Sequence, residues 1–196
     1  MIKPQDFEQV QGFTGFTALE AGGHICKIMK VEETKSKAGR DMVVIYLDTD
    51  RTDKQPSYFS EAYKNDKREP KKWNNNAIVR QLVLDAEGAT NRGFKTFIDM
   101  VEKSNNGFKV VWGEHFTDCF KGKLVGALFG REEYLDNNTG VSKFATKFQV
   151  FRTVEEIKKG VDVPKDKLLN PGSNNSTGGY GEDLIPVDDG PDELPF

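Results

Sequence analysis

Alternation of apolar and polar positions marks two strands early in the chain. Gly22 to Thr34 (GGHICKIMKVEET) reads as the first and Met42 to Asp50 (MVVIYLDTD) as the second, with turn chemistry at Lys35-Ser-Lys-Ala-Gly-Arg-Asp41 between them. In the second strand Val43, Ile45 and Leu47 share one face, while Val44, Tyr46 and Asp48 share the other. Ser57 to Tyr63 reads as a third strand, followed by a polar loop over 64–73. Asn76 to Ala86 then reads as helical, with Ile78, Val79, Leu82 and Val83 on an apolar side. Phe94, Phe97, Ile98 and Val101 recur at i, i+3, i+4, i+7, which predicts an amphipathic helix over Gly93–Lys103, stopped by Asn105-Asn106-Gly107. Lys109 to Trp112 reads as a short strand with Trp112 buried, and Phe116 to Phe120 fits more than one element.

The clearest hairpin joins Lys123–Leu135 to Val141–Thr153 through Asp136-Asn-Asn-Thr-Gly140. In its second strand Phe144, Thr146, Phe148 and Val150 face one way, and Lys143, Ala145, Lys147 and Gln149 the other. Thr153-Val-Glu-Glu156 is a capping-box pattern and predicts a short closing helix over 154–159. The order is three strands, a helical segment, two strands and a terminal helix. That is the order of a mainly β (α+β) fold, a five-stranded OB barrel with a helical insert between strands 3 and 4.

Composition divides the chain near residue 170. From Pro171 to Phe196 there are five glycines, four prolines and a Ser/Asn/Thr run without hydrophobic period, which predicts a flexible linker and a disordered tail after a domain over 1–170. Formal charge over the whole chain is −3, which argues against a nucleic-acid partner until the charges are located. The last 26 residues hold six acids (Glu182, Asp183, Asp188, Asp189, Asp192, Glu193) and no Lys or Arg. Removing those six from the 31 acids leaves 25 against 28 bases, so residues 1–170 carry +3. No stretch approaches the roughly 18 apolar residues of a membrane span, the start carries no signal-peptide pattern, and two cysteines make no disulfide scaffold. The expected setting is a reducing cytoplasm, without a membrane partner.

The stretch Asp188-Asp-Gly-Pro-Asp-Glu-Leu-Pro-Phe196 is the most specific motif. A terminal Phe offers a ring and an α-carboxylate together, which suits an apolar pocket rimmed by basic residues. Pro195 lowers the ordering cost, and the acids steer the encounter. Candidate partner-binding residues are therefore Asp188, Asp189, Asp192, Glu193, Leu194, Pro195 and Phe196. This ending resembles the C-terminal tip of bacterial single-stranded DNA-binding proteins, with Gly190-Pro191 interrupting the acids. The body resembles phage and prophage single-stranded DNA-binding proteins of Gram-positive hosts over roughly residues 18–165. The matching segments are Ala21-Gly-Gly-His-Ile-Cys-Lys-Ile28, the Lys35–Gly39 turn, Phe120-Lys-Gly-Lys-Leu-Val-Gly126 with Glu132-Glu-Tyr134, and Val154-Glu-Glu-Ile157. The resemblance implies an OB fold, binding of single-stranded DNA without sequence preference, and recruitment of replication or recombination proteins by the tail.

The residues point the same way. Cations can follow phosphates while exposed rings stack on bases. Lys35, Lys37 and Arg40 lie in the first turn, and Tyr46 faces away from the Val43/Ile45/Leu47 set. Tyr58, Phe59, Tyr63, Lys64, Lys67, Arg68, Lys71, Lys72 and Trp73 interleave rings with cations, and Lys143 and Lys147 extend the track along the last strand. His24, Cys26, His115 and Cys119 supply a four-ligand set for zinc in principle, at spacings unlike the common zinc motifs. Asp41, Asp48, Asp50 and Glu61 would be the carboxylates of a metal-dependent nuclease, with Asp48 and Asp50 expected to face water at a strand end. No phosphate-binding loop or nucleophile elbow is present, so neither catalysis nor a cofactor is expected. The alternative readings are an adaptor or recombination mediator whose barrel binds protein, and the nuclease. Oligomeric state is not encoded in any of these motifs.

Overall fold

The early strands form where the alternation places them, and they make the centre of one sheet. In the computed structural model, which describes residues 3–5 and 17–169, β1 (Gly22–Lys35) and β2 (Asp41–Thr49) pair antiparallel across the basic turn. With β3 (Ile78–Leu82), β4 (Leu124–Leu135) and β5 (Ser142–Arg152) the sheet order is β3-β2-β1-β4-β5, antiparallel throughout. The sheet curls into a nearly closed barrel, and a 3-10 turn at Asn75–Ala77, leading into β3, packs against β5 at the opposite edge. This is a mainly β, OB-like fold. Among the described residues three helices accompany it: α1 (Tyr58–Lys64), α2 (Arg92–Ser104) between β3 and β4, and α3 (Val154–Lys159). Among the described residues no helix is long and apolar enough to cross a membrane.

The described residues form five strands, but the third is not the one expected. Ser57–Tyr63 is mostly helix α1, because Asp48 reaches it from β2 and accepts from the backbone N–H groups of Phe59 (3.0 Å) and Ser60 (3.2 Å) and from the Ser60 hydroxyl. These donors have no partner within the helix's own first turn, so a buried carboxylate there favours helix over strand. Asp48, expected in water, is 1% exposed. The expected helix over 76–86 is instead the 3-10 turn and β3, paired with Met42–Tyr46 of β2. Its Ile/Val/Leu spacing fits a helical face, yet the free edge of β2 satisfies its backbone along a ladder. Lys109–Trp112 forms no strand, and Phe116–Phe120 resolves into a turn ending in a 3-10 segment at Asp118–Phe120.

Periodicity serves better for α2, which buries Phe94, Phe97, Ile98 and Val101 as expected. Its N-terminus is capped by Asn91, whose Oδ1 accepts from Gly93 N at 2.8 Å and from Gln81 Nε2 at 2.7 Å. At the other end Asn105 Nδ2 donates to Val101 O (2.8 Å) and to Leu124 O (2.7 Å), tying α2 to β4. In the β4–β5 hairpin a bulge falls between the pairs Leu128↔Val150 and Phe129↔Phe148. The extra residue moves Val150 off the core face and puts Phe151 there, where it meets Phe148 at 4.5 Å and Phe97 at 5.1 Å. α3 carries the expected capping box between Thr153 and Glu156. It lies close to the sheet because Gly23 and Gly126 leave room for Ile157, which a Cβ at either position would meet within 3.0 Å.

Since α1 depends on one buried carboxylate, Asp48→Ala leaves the Phe59 and Ser60 N–H groups and the Ser60 hydroxyl without their acceptor, the first of them in a buried setting. The expected loss is about 3 kcal/mol of unfolding free energy, read from the midpoint of a urea titration. A loss no greater than that of a surface substitution would contradict the assignment.

Candidate nucleic-acid interface

Two parities on the sheet create the site. On β2, Val43, Ile45 and Leu47 are buried in the barrel, so Met42, Val44 and Tyr46 face outward. Their partners on either side are Thr34, Glu32 and Lys30 of β1 and Leu82, Arg80 and Ile78 of β3. All of these except Ile78 line an open groove of about 1250 Å³, walled by the 36–40 turn on one side and by Thr117, Asp118 and Lys121 on another. The floor is apolar at Met42, Val44 and Leu82. Its lining carries six cations (Lys30, Lys35, Lys37, Arg40, Arg80, Lys121) against three acids (Glu32, Glu33, Asp118).

Not all of those cations are equally available. Lys30 pairs with Glu32, and Lys35 with Asp41 at 2.7 Å. Lys37, Arg40, Arg80 and Lys121 make no ion pair among the described residues. Tyr46 is half-buried in the groove lining, and its hydroxyl donates to Glu32 Oε2 at 2.7 Å. Burial, the bond to Glu32 and that carboxylate's charge raise the Tyr46 phenol to about 12. Glu32 in turn is held below the ordinary carboxylate range by hydrogen bonds from Lys30 and Tyr46. The ring is thus neutral and fixed in orientation.

The residues from 58 to 73 gather into a second lobe. Tyr63 and Trp73 meet at 5.5 Å, Lys71 lies 5.9 Å from the Tyr63 ring, and a hollow of about 520 Å³ opens beside Lys67, Arg68 and Lys72. Trp73 Nε1 donates to Leu47 O at 3.1 Å, which fixes the lobe one residue along β2 from Tyr46. Several cations of this lobe are already engaged: Arg68 clasps Asp66, Lys64 pairs with Glu61, and Lys71 donates to Lys64 O. Tyr58 packs partly against the core. Phe59 corrects the sequence reading, because it is 1% exposed and packs on Phe129 at 6.0 Å. It offers no face to a base.

Other candidates fall outside the groove. Lys143 pairs with Asp136, and Lys147 with Glu132 at 3.3 Å, on the far strand of the sheet. The zinc set is not assembled: among the described residues no group of three or more His, Cys, Asp or Glu is placed to hold a metal. His24 is fully buried, with Nδ1 2.8 Å from Asp53 Oδ2 and Nε2 3.0 Å from Glu20 O, while Cys119 Sγ donates to Phe116 O. Burial pushes the Asp53 carboxyl up, but hydrogen bonds from His24 and from the N–H groups of Gln55 and Ile25 outweigh it and hold it low. Of the nuclease carboxylates, Asp48 caps α1 and Asp50 accepts from Thr52. The tail residues Asp188, Asp189, Asp192, Glu193, Leu194, Pro195 and Phe196 lie outside the described residues.

Sequence reading missed Lys30, Arg80 and Lys121. Arg80 had a legible signal, since it alternates with Val79 and Gln81 once 78–82 is taken as a strand. Lys121 had none, because its position follows from how the α2–β4 connector crosses β1. The chain matches no protein-family model, and no curated protein matches it.

The Tyr46–Glu32 bond is open to a spectroscopic check. Phenolate absorbance of the wild type minus that of Tyr46→Phe should titrate near pH 12, about two units above a free tyrosine. Glu32→Gln should move it down, because it removes the carboxylate charge that opposes a second negative charge. A midpoint near the free value in the wild type would contradict the Tyr46–Glu32 bond.

Proposed function

We propose that the barrel binds single-stranded DNA without sequence preference in the groove on the outer face of β1, β2 and β3. The observation that carries this is the set of four cations, without an ion pair among the described residues, around an apolar floor lined also by a fixed tyrosine. Cations follow a phosphate backbone, and an apolar floor with a ring is useful only to bases whose faces are free. A duplex hides those faces, so a separated strand is the better fit. None of the four cations is aimed at a particular base edge by a supporting hydrogen bond, which agrees with sequence-independent contact.

In this reading the protein coats exposed strands during phage DNA replication or recombination in a bacterial cytoplasm. The acidic stretch Asp188–Phe196 recruits replication or recombination proteins, and the resemblance of both segments to single-stranded DNA-binding proteins supports that division of labour.

A titration of labelled oligo-dT at several salt concentrations tests the reading. Affinity should fall with salt and exceed that for duplex of equal length. Replacing Lys37, Arg40, Arg80 and Lys121 together with Ala should lower the slope of log K against log salt by about 3, since each phosphate contact on a single strand is worth about 0.7. Replacing Lys143 and Lys147, which are paired and off the groove, should leave the slope unchanged. No preference for single strands would overturn the proposal.

A further inference from the structure

We infer that Trp112 is a base-stacking platform that extends the groove onto the connector between α2 and β4, with an unpaired nucleobase as its ligand. The inference rests on the single-strand reading above. Trp112 was expected in the core, yet it is 64% exposed, more than any other large hydrophobic residue among those described. An indole left in water forgoes a large apolar burial that the neighbouring core could have offered.

The ring is nevertheless held firmly. It lies nearly parallel to Phe116, with centroids 5.3 Å apart and an interplanar angle of 16°, and it meets Phe94 edge-on at 6.3 Å. Both phenylalanines are buried, and Phe116 packs in turn on Phe120 at 5.1 Å. The backbone on either side is also fixed: Val110 N donates to Glu102 Oε1 at 3.0 Å, and Phe116 N to Gly113 O at 3.0 Å. One face of the indole is therefore covered by Phe116 and the other is presented to solvent. A base laid on that open face would continue the Phe116–Trp112 stack at little ordering cost.

Position relates the platform to the groove. Immediately after Phe116 the same connector supplies Thr117, Asp118 and Lys121 to the groove wall. Lys121, which makes no ion pair among the described residues, is the groove-wall cation on the same connector as Trp112 and would take a phosphate of a strand that reaches both. Trp112 and Lys121 thus stand on one connector, which carries the platform and part of the groove wall. Stacking on a π face accepts any base, in keeping with binding that ignores sequence.

The chain has two tryptophans, Trp73 and Trp112, so fluorine-labelled tryptophan gives two resonances that Trp112→Phe assigns. Saturating oligo-dT should shift the Trp112 resonance. Trp112→Leu keeps an apolar cover on Phe116 but removes the π face, and should weaken binding about tenfold. Trp112→Phe should keep most of the affinity, and the salt slope should be the same in all three proteins because no phosphate contact is lost. An unmoved resonance, or equal affinity for the Leu and Phe variants, would overturn the inference while the salt-sensitive binding of the wild type still stood. A resonance that moves with protein concentration in the absence of DNA, and not with DNA, would assign Trp112 to a contact between copies and overturn it too. Absence of any binding by the wild type would remove both proposals together.

Discussion

One extra residue in β1 decides what the outer face of the barrel presents. β1 pairs with β4 through Gly22–Lys27 and with β2 through Cys26–Lys35, and the β2 register slips between Ile28 and Lys30. Before the slip the core-facing positions are His24, Cys26 and Ile28; after it, Val31 is the buried one. The bulge lets a single strand of 14 residues serve both halves of the barrel and bend between them. It also sets Lys30 and Glu32 beside Tyr46 and Val44. Without that shift Lys30 and Glu32 would point into the core, and the groove would lose the pair that holds its tyrosine.

The connections around the sheet are fixed by buried polar joints, not by apolar packing alone. Asp48 starts α1, His24 and Asp53 tie the beginning of β1 to the loop before α1, Gln81 positions the cap of α2, and Asn105 ends it against β4. Each joins two different elements or loops, and each would cost stability if left half-made. They hold the α1 lobe, the α2–β4 connector and the sheet edge in a set relation around one face, so the cations reach that face from four separate segments.

Periodicity made much of the fold legible. The inward set of β2, the apolar face of α2, the hairpin and the capping box of α3 could each be read from local pattern, because each is decided within about a dozen residues. The exchange of strand and helix between 57–63 and 76–86 could not. There the outcome depends on Asp48 reaching across from β2 and on the free edge that β2 leaves for Ile78–Leu82, neither of which shows in the apolar spacing of the segments themselves. The bulges were hidden for a similar reason, since a single residue reverses which side is buried, as Val150 and Phe151 illustrate. For the site, the basic turn and Tyr46 were legible. Phe59 and Trp112 were read the wrong way round, one being core and the other open. Composition separates neither from the other, because whether an aromatic ring is covered depends on what the fold brings over it.

The central claim is that the outer face of β1, β2 and β3 is where a single strand lies. Hydrogen exchange followed by mass spectrometry, with and without saturating oligo-dT, reports on that face directly. The turn over 36–40 and the wall over 117–121 should exchange more slowly when DNA is bound, while the hairpin turn over 136–141 should be unaffected. Slowing confined to the hairpin turn, with the 36–40 turn unchanged, would contradict the account.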